Sequence, residues 1–427
     1  MQQDVIVMVK RVTAFLVVLL AAALPVRAQT GASDESEADI RYVLPEEQAG
    51  QSMATVAVED RPLAHTEQFM ALEAGGRILA PGEASAQAEK VLEKIGRALG
   101  AVGAGMESVL KLNVYAASNA TAGEVRSYFA ERYEGTEEKP AVSYVVTALP
   151  HPKALVAMDA VAAVPAGSEA SRAEEQRTVR RVEGLRMSGG GPERGHVAVM
   201  PGGGNKIYVS GQVAKGKPVA AMRTSLEHMH DRLAYLGLSA DDVVQVKVFA
   251  DSIANATRLE AKIAEYYRKK PSPPVVMVEW THPGADVEVE LIATRGPTEA
   301  TTDETITYPV PPGLKAFPTY SRVAEIHQGD ILYVSGLYGT PSEEAEGQMR
   351  DIFATLGQVL ERAGTDFDHL AKATYYLNSW DVKGPLWGIR KEFYDPERPP
   401  TSSLIPVRGV GKEGRLVTID MVGVVPE

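Results

Sequence analysis

The chain of 427 residues is 44% hydrophobic and 23% charged, and its formal net charge at pH 7 is −12. At a rough expectation of about 150 residues per domain, this length predicts about three domains. A nucleic-acid surface needs a basic stripe that displaces counterions from phosphate, so the acidic balance argues against a nucleic-acid partner, and we expect none, but it permits a local pocket for a small anion. The chain contains no cysteine, which excludes a disulfide framework and a lipoprotein attachment site.

The first residues have the pattern of a signal peptide. Lys10 and Arg11 precede an apolar run over residues 12–26, and Val26 and Ala28 are small residues at the two positions that a signal peptidase reads. An uncleaved membrane anchor is the alternative, but the run is short for a bilayer span. We therefore expect a signal peptide over 1–28, a periplasmic or secreted protein, and no membrane contact once the peptide is removed.

The rest of the chain divides into folded units and linkers. Residues 29–53 are acidic and poor in large apolar side chains, which predicts a flexible leader. Two further stretches are charged or rich in proline and threonine, which predicts linkers. The predicted segments are a first unit over 54–165, a charged linker over 166–195, a second unit over 196–296, a linker over 297–317 and a third unit over 318–427.

Two kinds of repeated strand show that the units are homologous. Ile207–Gln212 and Leu332–Leu337 are alternating apolar stretches that end in serine and glycine, as in a half-buried strand. In the first unit we expect Thr66 and Glu67 at the places of the serine and the glycine. A second alternating pattern aligns without a gap in all three units: Val109–Ser118, Val243–Ser252 and Leu370–Ser379.

Each unit is predicted to contain the elements strand, strand, helix, strand, helix, strand, strand. In the second unit, Met222, Leu226, Met229 and Leu233 form one continuous apolar stripe on the first helix. Two helices over a mixed or antiparallel sheet imply an α+β layer whose helices cover one face of the sheet. The other face must also be buried, and the sister units are the expected partners.

These residues resemble those of the RidA family of enamine and imine deaminases, also called YjgF or L-PSP. The resemblance depends on Tyr208–Gln212, on Tyr333–Gly336 with Pro318–Ser321 before it, on the helix end at Gly364 and on Val287–Glu290. It implies a chorismate-mutase-like fold for each unit. Family members are trimers with a ligand site at each subunit interface, so the three units are expected to form an intramolecular pseudo-trimer. Because further oligomerisation is then unnecessary, we expect a monomer.

The resemblance also implies a catalytic arrangement from which this chain departs. Family enzymes hold the carboxylate of a 2-imino acid with the arginine of a Pro-Ala-Arg-Ser motif, because a guanidinium makes paired bonds to a carboxylate. A glutamate on the last strand helps to place the water that hydrolyses the imine. The chain has Val142, Val275 and Ser402 at the arginine position, and Ala157, Glu288 and Thr418 at the glutamate position.

Candidate site residues follow from this comparison. Glu288 is a candidate general base, and an interface or edge-strand carboxylate is the alternative. The glycines either allow a ligand to approach or relieve a bulge in a curved sheet. Arg408 is the nearest candidate for a relocated anion clamp, with an ordinary surface arginine as the alternative. The candidate ligand-binding residues are Ser210, Gly211, Tyr320, Ser335, Gly336 and Ser402.

We expect no metal and no cofactor. His228 and His230 lie two residues apart on a predicted helix and therefore point to different sides of it. The remaining histidines have no metal-ligand spacing. No phosphate-loop or dinucleotide-binding motif is present.

Three functions remain open. Absence of the motif arginine from all three units favours a non-catalytic relative that binds a small metabolite in the clefts between units. Retention of Glu288 keeps open a deaminase, which would convert a 2-imino acid and water into a 2-keto acid and ammonia. A ribonuclease of the L-PSP type is a third function, which the acidic balance disfavours.

Overall fold

The computed structural model describes residues 39–165, 178–183, 195–267, 271–297, 302–341 and 344–427, all of which belong to one compact unit. The predicted signal peptide over 1–28 lies outside the described residues, as does most of the predicted linker over 166–195. Within the described ranges, no helix is long and apolar enough to cross a membrane.

The first repeat contains two helices and most of the strands of the larger sheet. Its second helix begins after Ser118, whose hydroxyl accepts a hydrogen bond of 3.1 Å from the backbone of Thr121. Its elements are β1 (Ile40–Glu46), β2 (Gln51–Ala57), β3 (Leu63–Thr66), β4 (Phe69–Met70), α1 (Ala84–Gly100), β5 (Val109–Ala116), α2 (Asn119–Arg132), β6 (Ala141–Val146) and β7 (Val156–Ala163).

The second repeat has the most regular first helix. Pro218 stands at its first turn, where a missing N–H costs nothing, and the predicted apolar stripe from Met222 to Leu233 is buried. Its elements are β8 (Arg180–Val182), β9 (Val197–Met200), β10 (Asn205–Ala214), α3 (Pro218–Tyr235), β11 (Val243–Ala250), α4 (Ala256–Tyr267), β12 (Val275–Glu279) and β13 (Val287–Arg295).

The third repeat has the same order of elements. Its first helix ends at Gly364, which has a φ of 83° and so takes the left-handed cap position that favours glycine. Its elements are β14 (Ile306–Thr307), β15 (Val323–Ile326), β16 (Asp330–Val334), α5 (Ala345–Ala363), β17 (Leu370–Leu377), α6 (Lys383–Phe393), β18 (Thr401–Pro406) and β19 (Val417–Val425).

The strands of each repeat pair in one common order. The strand between the two helices pairs in parallel with the strand after the second helix, and antiparallel with the last strand of the repeat. The last strand also pairs antiparallel with the strand at the position of the serine-glycine pair. The three orders are β6-β5-β7-β3, β12-β11-β13-β10 and β18-β17-β19-β16.

Strand pairing between repeats closes a ring. The strand at the serine-glycine position pairs antiparallel with the second strand of the next repeat in all three cases: β3 with β9, β10 with β15, and β16 with β2. The third repeat therefore returns to the first, and no repeat keeps this edge free. The fold is α+β, with six helices and two sheets in the described part of the chain, and its repeats form an intramolecular pseudo-trimer as predicted.

Three short strands lie in segments that were predicted to be irregular. β1 lies in the predicted leader 29–53, β8 in the predicted linker 166–195, and β14 in the predicted linker 297–317. Each pairs antiparallel with the second strand of its own repeat, on the edge away from the neighbouring repeat. They cover backbone groups that would otherwise form an exposed sheet edge, a need that the polar composition of these segments does not reveal.

The inner faces of the sheets form a core shared by all three repeats. Leu110, Val244 and Ala371 occupy the same position on the three central strands, and all three are buried in this cluster. Tyr208 and Tyr333 extend into it from the second and third repeats. The sheet faces that the helices leave uncovered therefore pack against the sister repeats, as expected.

Candidate functional site

The border between two repeats is defined by the strand at the serine-glycine position. Its backbone shows that Glu67 and Gln68 of the first repeat, rather than Thr66 and Glu67, occupy the places of the serine and the glycine. The prediction was one residue out because the strand is interrupted between β3 and β4 and lacks both marker residues. Three equivalent hydrogen bonds define the register: Glu67 N to His196 O at 2.9 Å, Ser210 N to Arg322 O at 2.9 Å, and Ser335 N to Met53 O at 2.8 Å.

The cleft between the first and second repeats is filled by its own side chains. Glu67 and His196 form a buried contact of 2.7 Å between Oε1 and Nδ1. The backbone of Gln68 donates a hydrogen bond of 3.1 Å to Val275 O. Ala157 stands at the glutamate position and is buried. This cleft has neither the serine-glycine pair nor the acid that the family arrangement needs.

The cleft between the third and first repeats uses its serine to join the two repeats. The Ser335 hydroxyl donates to Ser52 O at 2.6 Å and accepts from the backbone N–H of Val142 at 2.7 Å. The backbone N–H of Gly336 donates to Val142 O at 2.9 Å. Because these groups are already paired, Ser335 and Gly336 contribute to the junction instead of facing an open site.

The cleft between the second and third repeats, called the 2–3 cleft below, brings together most of the predicted site residues. A side-chain carbon added at Gly211 would lie 1.6 Å from Glu288 Oε1 and 2.5 Å from Ser403 Oγ. Glu288 of one repeat and Ser403 of the next therefore lie directly over this glycine. The Ser210 hydroxyl is buried and has no hydrogen-bond partner among the described residues.

Burial makes Glu288 a much weaker acid than an ordinary glutamate. Its pKa is raised from 4.5 to about 8. Desolvation is the main cause, the Ser403 hydroxyl opposes it, and the smaller effects of Glu290 and Lys372 raise and lower the pKa respectively. A carboxyl group that titrates near neutral pH can both accept and donate a proton under physiological conditions. Glu288 is therefore suited to acid-base chemistry.

Two aromatic rings and an arginine line the third-repeat side of the 2–3 cleft. The rings of Phe317 and Tyr320 are stacked, with centroids 4.7 Å apart. The guanidinium of Arg322 lies 5.3 Å from the Phe317 ring and 5.4 Å from the Tyr320 ring. Both Arg322 and Arg390 lower the pKa of Tyr320, although burial, the larger effect, raises it. Tyr320 therefore has two cations near it.

Arg390 is the most unusual residue of this cleft. Its side chain is completely buried, and its Nη1 donates a hydrogen bond of 3.0 Å to the hydroxyl of Ser402. The guanidinium lies 5.2 Å from the Tyr375 ring and 5.1 Å from the Trp387 ring. Its Nε and Nη2 have no hydrogen-bond partner in the described part of the chain. A buried guanidinium with unused donors is costly unless something else binds it.

The sister repeats show that this position does not require a cation. Arg390 lies one helical turn before Tyr394, and the residues one turn before Tyr133 and Tyr267 are apolar. These residues are Phe129 and Ile263, both fully buried. Sequence reasoning missed Arg390, although the shared tyrosines that follow the three second helices were a signal from which it could have been found.

A third arginine extends the cluster into the second repeat. Arg232 of α3 donates hydrogen bonds to Gln212 and to His228 O. Burial, with Arg322 as a second cause, lowers the pKa of Arg232 to about 10. Ion pairs within the described ranges use other arginines, such as Arg295 with Glu325. The buried Nε atoms of Arg232, Arg322 and Arg390 lack partners among the described residues.

Arg408, the candidate for a relocated anion clamp, has a partner in the structure. Arg408 does not act as a free anion clamp, because its Nη2 lies 2.5 Å from Glu279 Oε1 of the second repeat. This pair links two repeats at the surface.

Among the described residues, no group of three or more histidine, aspartate or glutamate side chains is placed to hold a metal ion.

A charged network lines the shared core. A cavity of about 40 Å³ lies among inner-face residues of all three repeats. Lys111 Nζ lies 3.1 Å from Asp420 Oδ1, and Lys372 Nζ lies 3.3 Å from Glu290 Oε2. Lys247 Nζ lies 3.8 Å from Asp420 Oδ2. The same Nζ is within 6 Å of three aromatic rings that occupy equivalent positions in the three repeats. The distances from Lys247 Nζ are 5.8 Å to Tyr115, 5.8 Å to Phe249 and 5.5 Å to Tyr376.

The fold and the clefts define a protein of three tandem α+β repeats closed into a pseudo-trimer. The sequence model of the Endoribonuclease L-PSP family matches residues 57–164, 195–295 and 313–425. These matches cover more than half of the chain. The chain therefore belongs to the Endoribonuclease L-PSP family, the RidA or YjgF family, and contains three copies of its domain.

Comparison with solved structures found several similar proteins. A Rid-family protein of unknown function from Yersinia pestis is 26% identical, with a TM-score of 0.27, and the match covers 30% of this chain and 99% of that protein. A YjgF-family protein from Mycobacterium tuberculosis is 25% identical, with a TM-score of 0.20, and the match covers 25% of this chain and 86% of that protein. A YjgF-family protein from Neisseria meningitidis is 22% identical, with a TM-score of 0.22, and the match covers 26% of this chain and 95% of that protein. No curated protein matched the chain.

Proposed function

We propose that this protein binds a small anionic metabolite in the 2–3 cleft. The observation that carries the proposal is Arg390, a fully buried arginine with two unused donor atoms at a position that is apolar in both sister repeats. A buried guanidinium without a counter-ion is unfavourable, so an arginine at this position is explained if a bound anion neutralises its charge and accepts from its unused donors.

The location of Arg390 supports a carboxylate as the anion. Ser402, which receives its hydrogen bond, stands at the motif position where family enzymes have their arginine. We propose that the motif arginine has been lost in all three repeats and that Arg390, reaching from helix α6, replaces it in this cleft alone. A planar guanidinium with free Nε and Nη2 matches the two oxygens of a carboxylate.

A second candidate function is hydrolysis of an imine, and Glu288 favours it. The ionised carboxyl group would accept a proton from a water molecule as the water oxygen attacks the imine carbon. The same proton would then pass to the imine nitrogen, which gives an amino alcohol. Transfer of the hydroxyl proton to the nitrogen through the same carboxyl group would then break the carbon–nitrogen bond, so that the keto group forms and ammonia leaves. A pKa of about 8 supports both halves of this transfer.

Binding and catalysis are tested separately. Calorimetric titration with pyruvate, a stable 2-keto acid, is expected to show one site per chain, with affinity at least about tenfold weaker in Arg390→Met. Arg350→Met is the matched control, because Arg350 is exposed and pairs with Glu392 and Glu346. Equal affinity in the wild type and Arg390→Met would contradict the proposal.

The deaminase candidate is tested by ammonia release from freshly generated 2-iminopropanoate. Acceleration over the uncatalysed rate that disappears in Glu288→Ala and in Glu288→Gln would establish hydrolysis in the 2–3 cleft. Pyruvate binding without acceleration would leave the protein as a binding module. Cleavage of RNA is not expected, because the net charge of −12 opposes binding to a polyanion.

We further propose that the mature protein is exported and monomeric. Export is supported by the basic and apolar pattern of the first 28 residues, and a monomer by the pairing of every repeat with the next. Light scattering of the mature chain is expected to give the mass of one chain. A mass near three times that value would contradict the monomer.

A further inference from the structure

A different set of cations lies where the third repeat crosses the first. The loop between β18 and β19 reaches over β6, and Val146 N donates to Gly409 O at 2.8 Å. Gly411 N donates to Asn119 Oδ1 at 3.1 Å. Gly411 has a φ of 83°, and a side-chain carbon there would lie 2.5 Å from Tyr144 Cβ. This loop is therefore held tightly against Tyr144.

Two cations in this region lie over tyrosine rings. The guanidinium of Arg126 lies 4.4 Å from the centre of the Tyr144 ring, and Lys412 Nζ lies 4.4 Å from the centre of the Tyr338 ring. Arg126 also donates to Gly411 O at 3.2 Å. Arg415 is the third cation. Lys412 and Arg415 follow Gly411 in the same loop. Burial, then Arg126, lower the pKa of Lys412 to about 8, while Glu46 opposes the decrease and Arg415 adds to it.

No carboxylate within the described ranges forms an ion pair with these cations. Glu46 Oε2 accepts a hydrogen bond of 3.1 Å from Gln51, and Asp351 Oδ2 accepts one of 2.8 Å from the backbone of Thr340. Both acids are near enough to influence Lys412 or Arg415 electrostatically. Each of these acids has a hydrogen-bond partner of its own, and Glu413 of the same loop is exposed.

Unused donors point to a ligand. The Tyr144 hydroxyl is buried, with the residue only 1% exposed, and has no hydrogen-bond partner among the described residues. The buried Nε and Nη1 of Arg415 also lack partners there. The Tyr144 hydroxyl and these guanidinium N–H groups of Arg415 are therefore donors without an acceptor among the described residues.

We propose that Arg126, Lys412, Arg415 and Tyr144 form a second site, which binds an oxyanion carrying two negative charges, such as a phosphate group. This site, called the 3–1 anion site, is distinct from the 2–3 cleft and does not depend on the proposed function. Three cations exceed what one carboxylate can neutralise, whereas a phosphate offers two charges and several acceptor oxygens. The ligand is either free phosphate or a phosphorylated metabolite.

The test is titration of the full mature chain with inorganic phosphate, followed by calorimetry. Lys412→Met and Arg415→Met are each expected to weaken binding by about tenfold or more, since each removes one charge from the site. Lys391→Met, on an exposed part of α6, is the control and is expected to bind phosphate like the wild type. Equal binding in Lys412→Met and the wild type would overturn the proposal.

A second measurement does not depend on whether the variants fold. The Lys412 amine can be followed by NMR of the wild-type protein, and saturating phosphate is expected to raise its pKa, because a bound anion favours the ammonium form. If Arg126 and Lys412 only fasten the loop through the tyrosine rings, phosphate leaves this pKa unchanged, and the proposal is wrong. A phosphorylated sugar that binds more tightly than phosphate, with the same loss in Lys412→Met, would identify a metabolite as the ligand.

Discussion

Nη1 of Arg390 donates a hydrogen bond of 3.0 Å to the hydroxyl of Ser402, so helix α6 supplies a guanidinium to strand β18. The helix can do so only in the third repeat, because Phe129 and Ile263 occupy the equivalent positions elsewhere. The three clefts of the pseudo-trimer therefore differ in chemistry although their backbones are equivalent.

The first prediction separates stability from function at Arg390. Arg390→Met is expected to leave the free energy of unfolding unchanged or to increase it, because an apolar side chain suits a position that is apolar in both sister repeats. Pyruvate binding should be lost in the same variant. Urea unfolding measured beside calorimetry checks both effects, and a large loss of stability would show that Arg390 is mainly a structural residue.

The second prediction concerns the glycine beneath Glu288. Gly211→Ala is expected to cost about 1–3 kcal/mol of unfolding free energy, because its new carbon would overlap Glu288 and force the side chains apart. Gly388→Ala is the matched control: Gly388 lies inside helix α6 with no atom near its Cβ position, so alanine there should stabilise by about 0.5–1 kcal/mol. Equal effects of the two substitutions would show that Glu288 does not press on Gly211.

The third prediction follows from the raised pKa of Glu288. The folded state holds a proton that the unfolded state releases above its pKa of 4.5, so stability falls as pH rises from 4.5 to about 8. The slope from this group alone is about 1.4 kcal/mol per pH unit. Glu288→Gln keeps a neutral side chain at every pH and should lose this contribution.

Urea unfolding between pH 4.5 and 8 measures this effect. The stability of Glu288→Gln relative to the wild type should increase steadily with pH through this window and level off above it. Glu131→Gln, at an exposed position on α2, controls for the substitution itself. A constant difference between Glu288→Gln and the wild type would mean that Glu288 is ionised in the folded protein.

The fourth prediction compares the two serine-glycine pairs. Ser335→Ala removes a hydroxyl that bonds both Ser52 O and Val142 N, and the buried Val142 N–H is left unpaired, which should cost about 1–3 kcal/mol. Ser210→Ala removes a hydroxyl without a partner among the described residues and should leave stability nearly unchanged. Thermal unfolding of both variants is the measurement, and equal losses would contradict the different roles of the two serines.

The fifth prediction tests the charged network of the shared core. Burial raises the pKa of Asp420, but Lys111, Lys247 and Lys372 together hold it well below its usual value. Asp420→Asn leaves buried lysines without their counter-charge and is expected to cost about 3–5 kcal/mol. Glu392→Gln breaks an exposed pair with Arg350 and should have little effect. Similar small effects of both substitutions would show that the buried charges are solvated.

The repeated architecture could be predicted because its signals are local. The period-two strands at Val109–Ser118, Val243–Ser252 and Leu370–Ser379 align in sequence and occupy equivalent places in the structure. The apolar stripe of α3 likewise follows from spacing alone, because side chains three and four residues apart share one face of a helix. The short edge strands were missed, because pairing with a neighbouring strand and not their own composition makes them strands.

The candidate site shows where local patterns stop being sufficient. Sequence determined that three related α+β units lie in one chain, and that among the equivalent residues Ala157, Glu288 and Thr418 of their last strands only Glu288 is an acid. Tertiary structure alone decided that Ser210 keeps an unpaired hydroxyl while Ser335 does not, and that Arg390 lies beside Ser402. The physical reason is that hydrogen-bond partners and buried charge depend on residues brought together from different repeats, and no local pattern contains both partners of such a contact.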